Sequence, residues 1–288
     1  MRPFEFAEPT TLSEAAALLA ERAGEARLLA GGQSLLPMMS AKLVSPGLLV
    51  SLGRIPELRQ ITWENGGGVR IGAMVTQRTL ERSPELRQRC PVLAYAASRI
   101  ASPHVRNLGT LGGNLAHNLA GSDPPAVLIA LDARVVITSQ RGERVLPIEQ
   151  LFTGFMETAL EPDEILSEIQ VPTPALAAQV YVKHCVRDVD PALVGIAIVA
   201  MDADGGSAWS KVRIGVSGVG HIPMRLRRSE TALSGGTLDE RRIKEAARIA
   251  MEEVDPMTDA HGSAEYRRKM TGVMLVRAVK RAIAREAR

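Results

Sequence analysis

The 288-residue sequence predicts an α+β fold in two units, and three observations carry that expectation. The first half alternates short strand-like runs with capped helices and keeps to no single period. The segment Pro172-Thr173-Pro174-Ala175-Leu176-Ala177-Ala178-Gln179 holds two prolines, which disfavour both a helix and a central strand. Beyond it, three strand-like runs precede three helical ones, the order of an antiparallel sheet with helices on one face. A boundary in that linker gives a first unit over 1–175, with subdomains over about 1–55 and 56–175, and a second over 176–288. At 45% hydrophobic residues the chain can fill two or three packed domains and is too apolar for disorder.

Thr11-Leu12-Ser13-Glu14 has capping-box spacing, so a helix runs from there to Arg22 and stops at Gly24. Ala26-Arg27-Leu28-Leu29 is a short strand, Ala30 to Ser34 a tight turn, and Leu35 begins a helix whose first turn suits Pro37. Leu48 to Leu52 reads as a buried strand, and Leu58 to Trp63 pairs with Val69 to Ala73 as a hairpin. Thr76 to Arg82 and Pro84 to Ala101 carry helical patterns, the second divided at Pro91. Val127 to Leu131 is a short helix, and Arg134 to Thr138 and Glu164 to Val171 are strands rich in branched residues. In the second unit, Val180 to Val186, Ala192 to Ala203 and Ala208 to Val216 are strands; Arg228 to Ser234, Thr237 to Glu253 and Ala264 to Arg288 are helices. On the last helix, Met270, Val273, Met274, Val276, Ala278 and Ile283 would form a buried face. Arg267, Arg268, Lys269, Arg277, Lys280, Arg281, Arg285 and Arg288 would form a solvated basic one, with partner docking as the alternative.

Two segments of Gly-Gly-polar form stand out: Ala30-Gly31-Gly32-Gln33-Ser34 and Thr110-Leu111-Gly112-Gly113-Asn114. Glycine lets a ligand approach without a Cβ in the way, and unpaired amides at a helix start favour an anion. The pair is therefore read as a phosphate cradle, against the alternative of loop glycines with no ligand. No P-loop is present, and Gly215-Val216-Ser217-Gly218-Val219-Gly220 has the dinucleotide-fold spacing reversed, which suits a strand end and turn.

Other classes are excluded by composition. Cys90 and Cys185 cannot build a disulfide framework, an iron–sulfur site or a zinc site, and the five histidines show no ligand pairing, so no metal site is expected. No catalytic triad asserts itself, which leaves the chemistry to a bound cofactor and no catalytic side chain to name. A net charge of +3, dispersed basic residues and 3% aromatics argue against nucleic acid. No stretch approaches the roughly twenty apolar residues of a membrane span, and Met1 to Glu5 lacks a secretory layout, so a cytoplasmic protein is expected.

Ala30-Gly31-Gly32-Gln33-Ser34-Leu35, Arg106-Asn107-Leu108-Gly109-Thr110-Leu111-Gly112-Gly113-Asn114 and Gly262-Ser263-Ala264-Glu265-Tyr266-Arg267-Arg268 together resemble the FAD-binding medium subunit of the molybdenum hydroxylases. This is the family of carbon monoxide dehydrogenase and of the xanthine dehydrogenase flavin domain, and the resemblance covers the whole chain. It implies a two-subdomain FAD-binding domain of the vanillyl-alcohol oxidase-like type and a C-terminal antiparallel sheet-and-helices domain. It further implies that Leu29, Ala30, Gly31, Gly32, Gln33, Ser34 and Leu35, with Thr110, Leu111, Gly112, Gly113 and Asn114, surround the FAD pyrophosphate. By the same resemblance Asp123 accepts a hydrogen bond from FAD, Leu166 and Ile100 flank the cofactor, and Lys183 lies near the flavin ring. Where several relatives carry an aromatic residue over that ring, this chain reads Asp188-Val189-Asp190-Pro191.

The implied function is an electron-transfer flavin subunit of a multi-subunit molybdenum hydroxylase, an oxidoreductase incomplete alone. Molybdopterin would sit on a large partner and [2Fe-2S] clusters on a small one, in a dimer of heterotrimers, with electrons leaving through FAD to an external acceptor. The alternatives are a self-sufficient flavoprotein oxidase or reductase, and a nucleotide-binding interaction module.

Overall fold

The first fifty-odd residues build a small parallel sheet whose strands are too short to stand without the helix packed on them. In the computed structural model, which describes residues 2–65, 67–173, 178–202 and 208–284, β1 (Glu5–Ala7), α1 (Leu12–Glu21), β2 (Ala26–Leu29), α2 (Leu35–Ser40) and β3 (Leu48–Ser51) follow in order. The strands pair in the order β1-β3-β2, both contacts parallel. Ala15, Ala16 and Leu19 of α1 pack on Leu48, Val50, Leu52 and Ile55, and this core also takes in Met74 and Ile165 from the neighbouring sheet. The Thr11 hydroxyl accepts from the Glu14 N–H, as expected. The Glu14 carboxylate, however, reaches past Thr11 to the Thr10 N–H at 2.8 Å, so the reciprocal half of the capping box is shifted by one residue.

The second sheet has the order β4-β5-β10-β6-β7 and is antiparallel throughout. Its strands are β4 (Ile61–Glu64), β5 (Gly68–Gly72), β6 (Arg134–Ser139), β7 (Gly142–Pro147) and β10 (Ile165–Pro172), with the small hairpin β8 (Phe152–Gly154) and β9 (Glu157–Thr158) beside them. The expected hairpin is present in a shorter form: Leu58 lies in a 3-10 turn, Pro56–Arg59, rather than in β4. Between β5 and β6 run α3 (Gln77–Arg82), α4 (Pro84–Arg89), α5 (Pro91–Ser98), α6 (Pro103–Leu108), α7 (Leu111–His117) and α8 (Asp123–Ala130). The break at Pro91 falls where the missing amide predicts it. Helix α8 begins four residues before the expected Val127, because Pro124 and Pro125 occupy its first turn, where no amide is needed. Every residue of α8 is buried.

The third sheet, β11 (Ala178–His184), β12 (Val194–Asp202), β13 (Trp209–Ser217) and β14 (Met224–Arg225), is an antiparallel meander. Its own helices α9 (Arg227–Leu233), α10 (Glu240–Glu253) and α11 (Ala264–Ile283) lie on one face, over Val180, Val182, Ile196, Ile198 and Ile214. The opposite face is covered too: Tyr181, Ala197 and Val199 join the core around α5 and α8, and a Cβ on Gly215 would stand 1.9 Å from the Ala126 carbonyl oxygen. A strand buried on both sides needs no alternation, which is why Val194 to Ala200 reads as an unbroken apolar run.

Three expectations change. Pro172, Ala178 and Gln179 belong to strands β10 and β11, so the linker is shorter than its composition implied. The boundary at 175/176, and the ends expected at Ala203 and Arg288, lie outside the described residues. On α11 the buried face is Thr271, Met274, Leu275, Ala278, Val279 and Ala282, while Val273 and Ile283 are exposed. Arg267, expected on the solvated face, is buried.

Candidate cofactor site

A cavity of about 1180 Å³ runs between the β2–α2 turn, α7, the start of α8, the β8–β9 hairpin and the end of β11. It exceeds the roughly 300–1,000 Å³ of common small-ligand pockets and has the capacity for a long dinucleotide. Every residue predicted for the site lines it except Leu29 and Leu111. Leu29 ends β2 and its carbonyl accepts from the Leu52 N–H at 3.0 Å; Leu111 is fully buried in the core.

At the first glycine segment, Gly32 adopts φ +69° and turns the chain from strand to helix, a conformation other residues rarely adopt. A Cβ on Gly31 would lie 2.0 Å from the Leu108 carbonyl oxygen, so this glycine lets the turn sit directly on the end of α6. Among the described residues, none accepts a hydrogen bond from the N–H of Gly31, Gly32, Gln33 or Ser34. Ser34 caps α2 by position, yet its hydroxyl makes no capping bond. Four backbone donors and one hydroxyl therefore remain uncommitted at the cavity wall.

The second segment corrects the expectation of a matching amide cradle. Its N–H groups from Leu111 to Asn114 are taken: Leu111 donates to Val75 O, Gly112 to Ala73 O, Gly113 to the Thr110 hydroxyl and Asn114 to Thr110 O. Gly112 is a packing glycine, since a Cβ there would meet the Ala73 Cβ at 2.5 Å. Gly113 faces the first segment, with Ala30 Cβ at 3.5 Å from where its own Cβ would be. This wall supplies room and side-chain acceptors rather than backbone donors. The Asn114 side-chain N–H donates to the Ser122 hydroxyl at 2.7 Å, leaving its oxygen buried without a partner, and the Gln77 side-chain oxygen is orphaned likewise. Both residues line the cavity, although these two oxygens themselves are enclosed.

At the other end, Lys183 donates to Asp123 Oδ2 and to Arg99 O, both at 2.9 Å, and Tyr181 donates to Asp123 Oδ1 at 2.6 Å. Both carboxylate oxygens of Asp123 thus serve protein donors, so it anchors Lys183 as well as lining the cavity. An ammonium has three N–H donors, and two of those on Lys183 are spent on protein. Burial pushes the Asp123 carboxyl above the ordinary carboxylate range against the pull of Lys183 and Tyr181. Burial likewise pushes the Tyr181 phenol well up, so it stays a donor. Burial lowers His117, which also lines the cavity, and keeps its imidazole neutral at pH 7. Glu164, at the rim, is held below the usual range by Arg144, whose guanidinium grips it at 2.7 and 2.6 Å. Sequence reasoning missed Tyr181, Gln77, Arg99 and Glu164. Tyr181 sits mid-strand in β11, where it reads as ordinary core, and the other three are polar residues with no motif around them.

Comparison with known proteins decides the family. The model for the FAD binding domain in molybdopterin dehydrogenase matches residues 2–174, and that for the CO dehydrogenase flavoprotein C-terminal domain matches 179–282. The chain belongs to this flavoprotein family. It is 39% identical to the carbon monoxide dehydrogenase medium chain of Hydrogenophaga pseudoflava, over 98% of each chain. It is 37% identical to the nicotine 6-hydroxylase medium subunit of Paenarthrobacter nicotinovorans, over 97% of each. Among solved structures it superposes on a chain of carbon monoxide dehydrogenase from Hydrogenophaga pseudoflava with a TM-score of 0.95, at 40% identity and 99% coverage of both. On a chain of quinoline 2-oxidoreductase from Pseudomonas putida 86 the TM-score is 0.93, at 32% identity and 98% coverage.

The cavity suits the FAD of this flavoprotein family on its own chemistry. A pyrophosphate needs converging N–H donors, which Gly31 to Ser34 present at the cavity wall. An electron-rich ring is served by a cation, and Lys183 is the one buried lysine among the cavity-lining residues.

Proposed function

We propose that this chain binds FAD in the cavity and acts as the electron-transfer flavin subunit of a molybdenum hydroxylase, an oxidoreductase that is incomplete alone. Bound FAD supplies a carrier that takes up and releases electrons. The chain's own residues do the rest. The amides of Gly31 to Ser34 hold the pyrophosphate, Gly32 and Gly113 let it approach, and Ile100 and Leu166 line the apolar walls. Lys183, anchored by Asp123 and Arg99 O, keeps a fixed positive charge at the far end. Residues 1–175 form the cofactor-holding domain and 176–288 the C-terminal domain, in keeping with the two family models on either side of that boundary.

The partners are a large molybdopterin subunit and a small [2Fe-2S] subunit, assembled as a dimer of heterotrimers in the cytoplasm. The substrate is read outside this chain. Relatives named for carbon monoxide, nicotine and caffeine are 39%, 37% and 33% identical to it, chemically unrelated substrates at similar distance.

The observation that carries the reading is the row of uncommitted N–H groups from Gly31 to Ser34 at the cavity wall. The chain expressed alone and mixed with FAD is expected to retain flavin through gel filtration with the absorbance bands of a bound flavin. A chain that emerges colourless at saturating FAD overturns the reading. Reduction of the bound flavin only when the partner subunits and their substrate are added supports the relay role; turnover by the isolated chain would make it a self-sufficient flavoprotein.

A further inference from the structure

The late segment Gly262 to Arg268 does not line the cavity, and cofactor binding as described leaves it without a role. The segment forms a turn wrapped around Asp259, whose Oδ1 accepts from the N–H of His261 at 2.9 Å and of Gly262 at 3.1 Å. Ser263 then caps α11, and one turn in, Arg267 leaves the helix for the interior with 6% of its surface exposed. Its Nη2 meets the other oxygen of Asp259 at 2.6 Å. Its Nη1 donates to two backbone carbonyls, Leu193 at 3.1 Å and Gly218 at 2.9 Å. A buried guanidinium costs desolvation, which the bonds from Nη1 and Nη2 offset while Nε stays unpaired, and those bonds tie two loops together.

Those loops are packed on each other: Gly218 has φ +80°, and a Cβ on it would fall 2.5 Å from Ala192 O and 2.6 Å from Leu193 O. Each gives one N–H to the cavity wall, Ala192 to Gly121 O at 2.8 Å and Gly218 to Ala120 O at 2.7 Å. Gly121 is pressed so closely that a Cβ would stand 2.6 Å from Ala192 O. Two residues on, the wall touches the site's machinery. Ser122 takes the Asn114 side-chain N–H, and Asp123 holds Lys183 and Tyr181.

We propose that Arg267 is a positioning residue for the cofactor. By clamping the loops at Leu193 and Gly218 it presses their N–H groups onto Ala120 and Gly121, and so sets the Gly121-to-Asp123 wall from which Asn114 and Lys183 are aimed. The inference rests on the FAD reading. Lysine is a partial substitute, because a single ammonium nitrogen does not span the two carbonyls and Asp259 as the guanidinium fork does.

The test measures FAD affinity and the visible circular dichroism of the bound flavin in the full chain, alongside thermal unfolding. Arg225→Gln serves as the control: Arg225 bridges Glu230 at 2.6 Å and Asp132 at 3.3 Å, and none of the three lines the cavity. Arg267→Gln is expected to raise the FAD dissociation constant about tenfold or more and to change the flavin dichroism, with Arg267→Lys intermediate. Arg225→Gln is expected to lower the melting temperature yet keep affinity within about twofold of wild type. Wild-type affinity and dichroism in Arg267→Gln, or in Arg267→Lys should the first variant not fold, overturn the proposal. So does a loss of FAD in Arg225→Gln as large as in the Arg267 variants. Wild-type protein that takes up no FAD overturns instead the reading on which the proposal rests.

Discussion

The turn at Gly31-Gly32 keeps its backbone donors free, whereas the helix start at Gly112-Gly113 has spent its own on Val75, Ala73 and Thr110. The two segments share a design all the same. In each pair a Cβ on the first glycine would strike backbone, Leu108 O for Gly31 and Ala73 O for Gly112, whereas a Cβ on the second would meet side chains, Leu36 Cδ1 at 2.9 Å for Gly32 and Thr110 Oγ1 at 2.8 Å for Gly113. What separates them is the neighbour: the second segment docks on the β5–α3 connection, whose carbonyls take the Leu111 and Gly112 N–H groups, while the first packs on α6 through Gly31 with its N–H groups left free. One side of the cavity is thus a donor surface and the other a shaped surface, and variants can tell them apart.

The largest effect is expected from Gly31→Ala, whose new Cβ would meet backbone at 2.0 Å and must push the turn off α6. Overpacking of this kind costs about 1–3 kcal/mol, so a lowered melting temperature together with lost flavin is the expected outcome in thermal and absorbance scans. Next comes Gly113→Val, whose Cβ would crowd the Thr110 hydroxyl at 2.8 Å and touch Ala30 at 3.5 Å, so its methyls push the two segments apart; flavin content should fall to background while the fold remains by far-UV circular dichroism. Retained flavin would show that cofactor binding does not depend on the contact between Gly113 and Ala30.

The sharpest comparison comes from two hydroxyl deletions of smaller effect. Thr110→Ala removes a working helix cap, since Thr110 accepts from the Gly113 N–H at 3.0 Å, and should cost about 1 kcal/mol in denaturant unfolding. Ser34→Ala removes a hydroxyl with no capping bond and should change stability by less than about 0.5 kcal/mol. Affinity for FAD should reverse the order, with isothermal titration showing the greater loss in Ser34→Ala. If Thr110→Ala loses more FAD, the division into donor and shaped surfaces is wrong.

Much of this arrangement is legible in the sequence, and the limits are physical. The strand-turn-helix around Gly31, the first helix and the break at Pro91 depend on local chemistry, and they stand where glycine, proline and cap residues put them. Strand β7 was missed because both its faces are largely solvated, so no apolar alternation marks it; β8 and β9 are too short to carry a pattern. The saturation of the second glycine segment was invisible for another reason. Whether an amide is free depends on a carbonyl dozens of residues away, and a motif cannot report it. Asp123 was found as a site residue, but its engagement by Tyr181 and Lys183 follows from the placement of β11, which only the tertiary fold supplies.

Helix α8 is buried on every side, held between the second sheet's core and the inner face of the third. A domain normally keeps a wet side, and this helix has none to give to either half. Cleaving the chain after β10 would strip one flank of α8 and leave Tyr181, Ala197 and Val199 facing water on the other fragment. The two halves should therefore melt in a single calorimetric transition, with the seam between them acting as shared core rather than as a hinge.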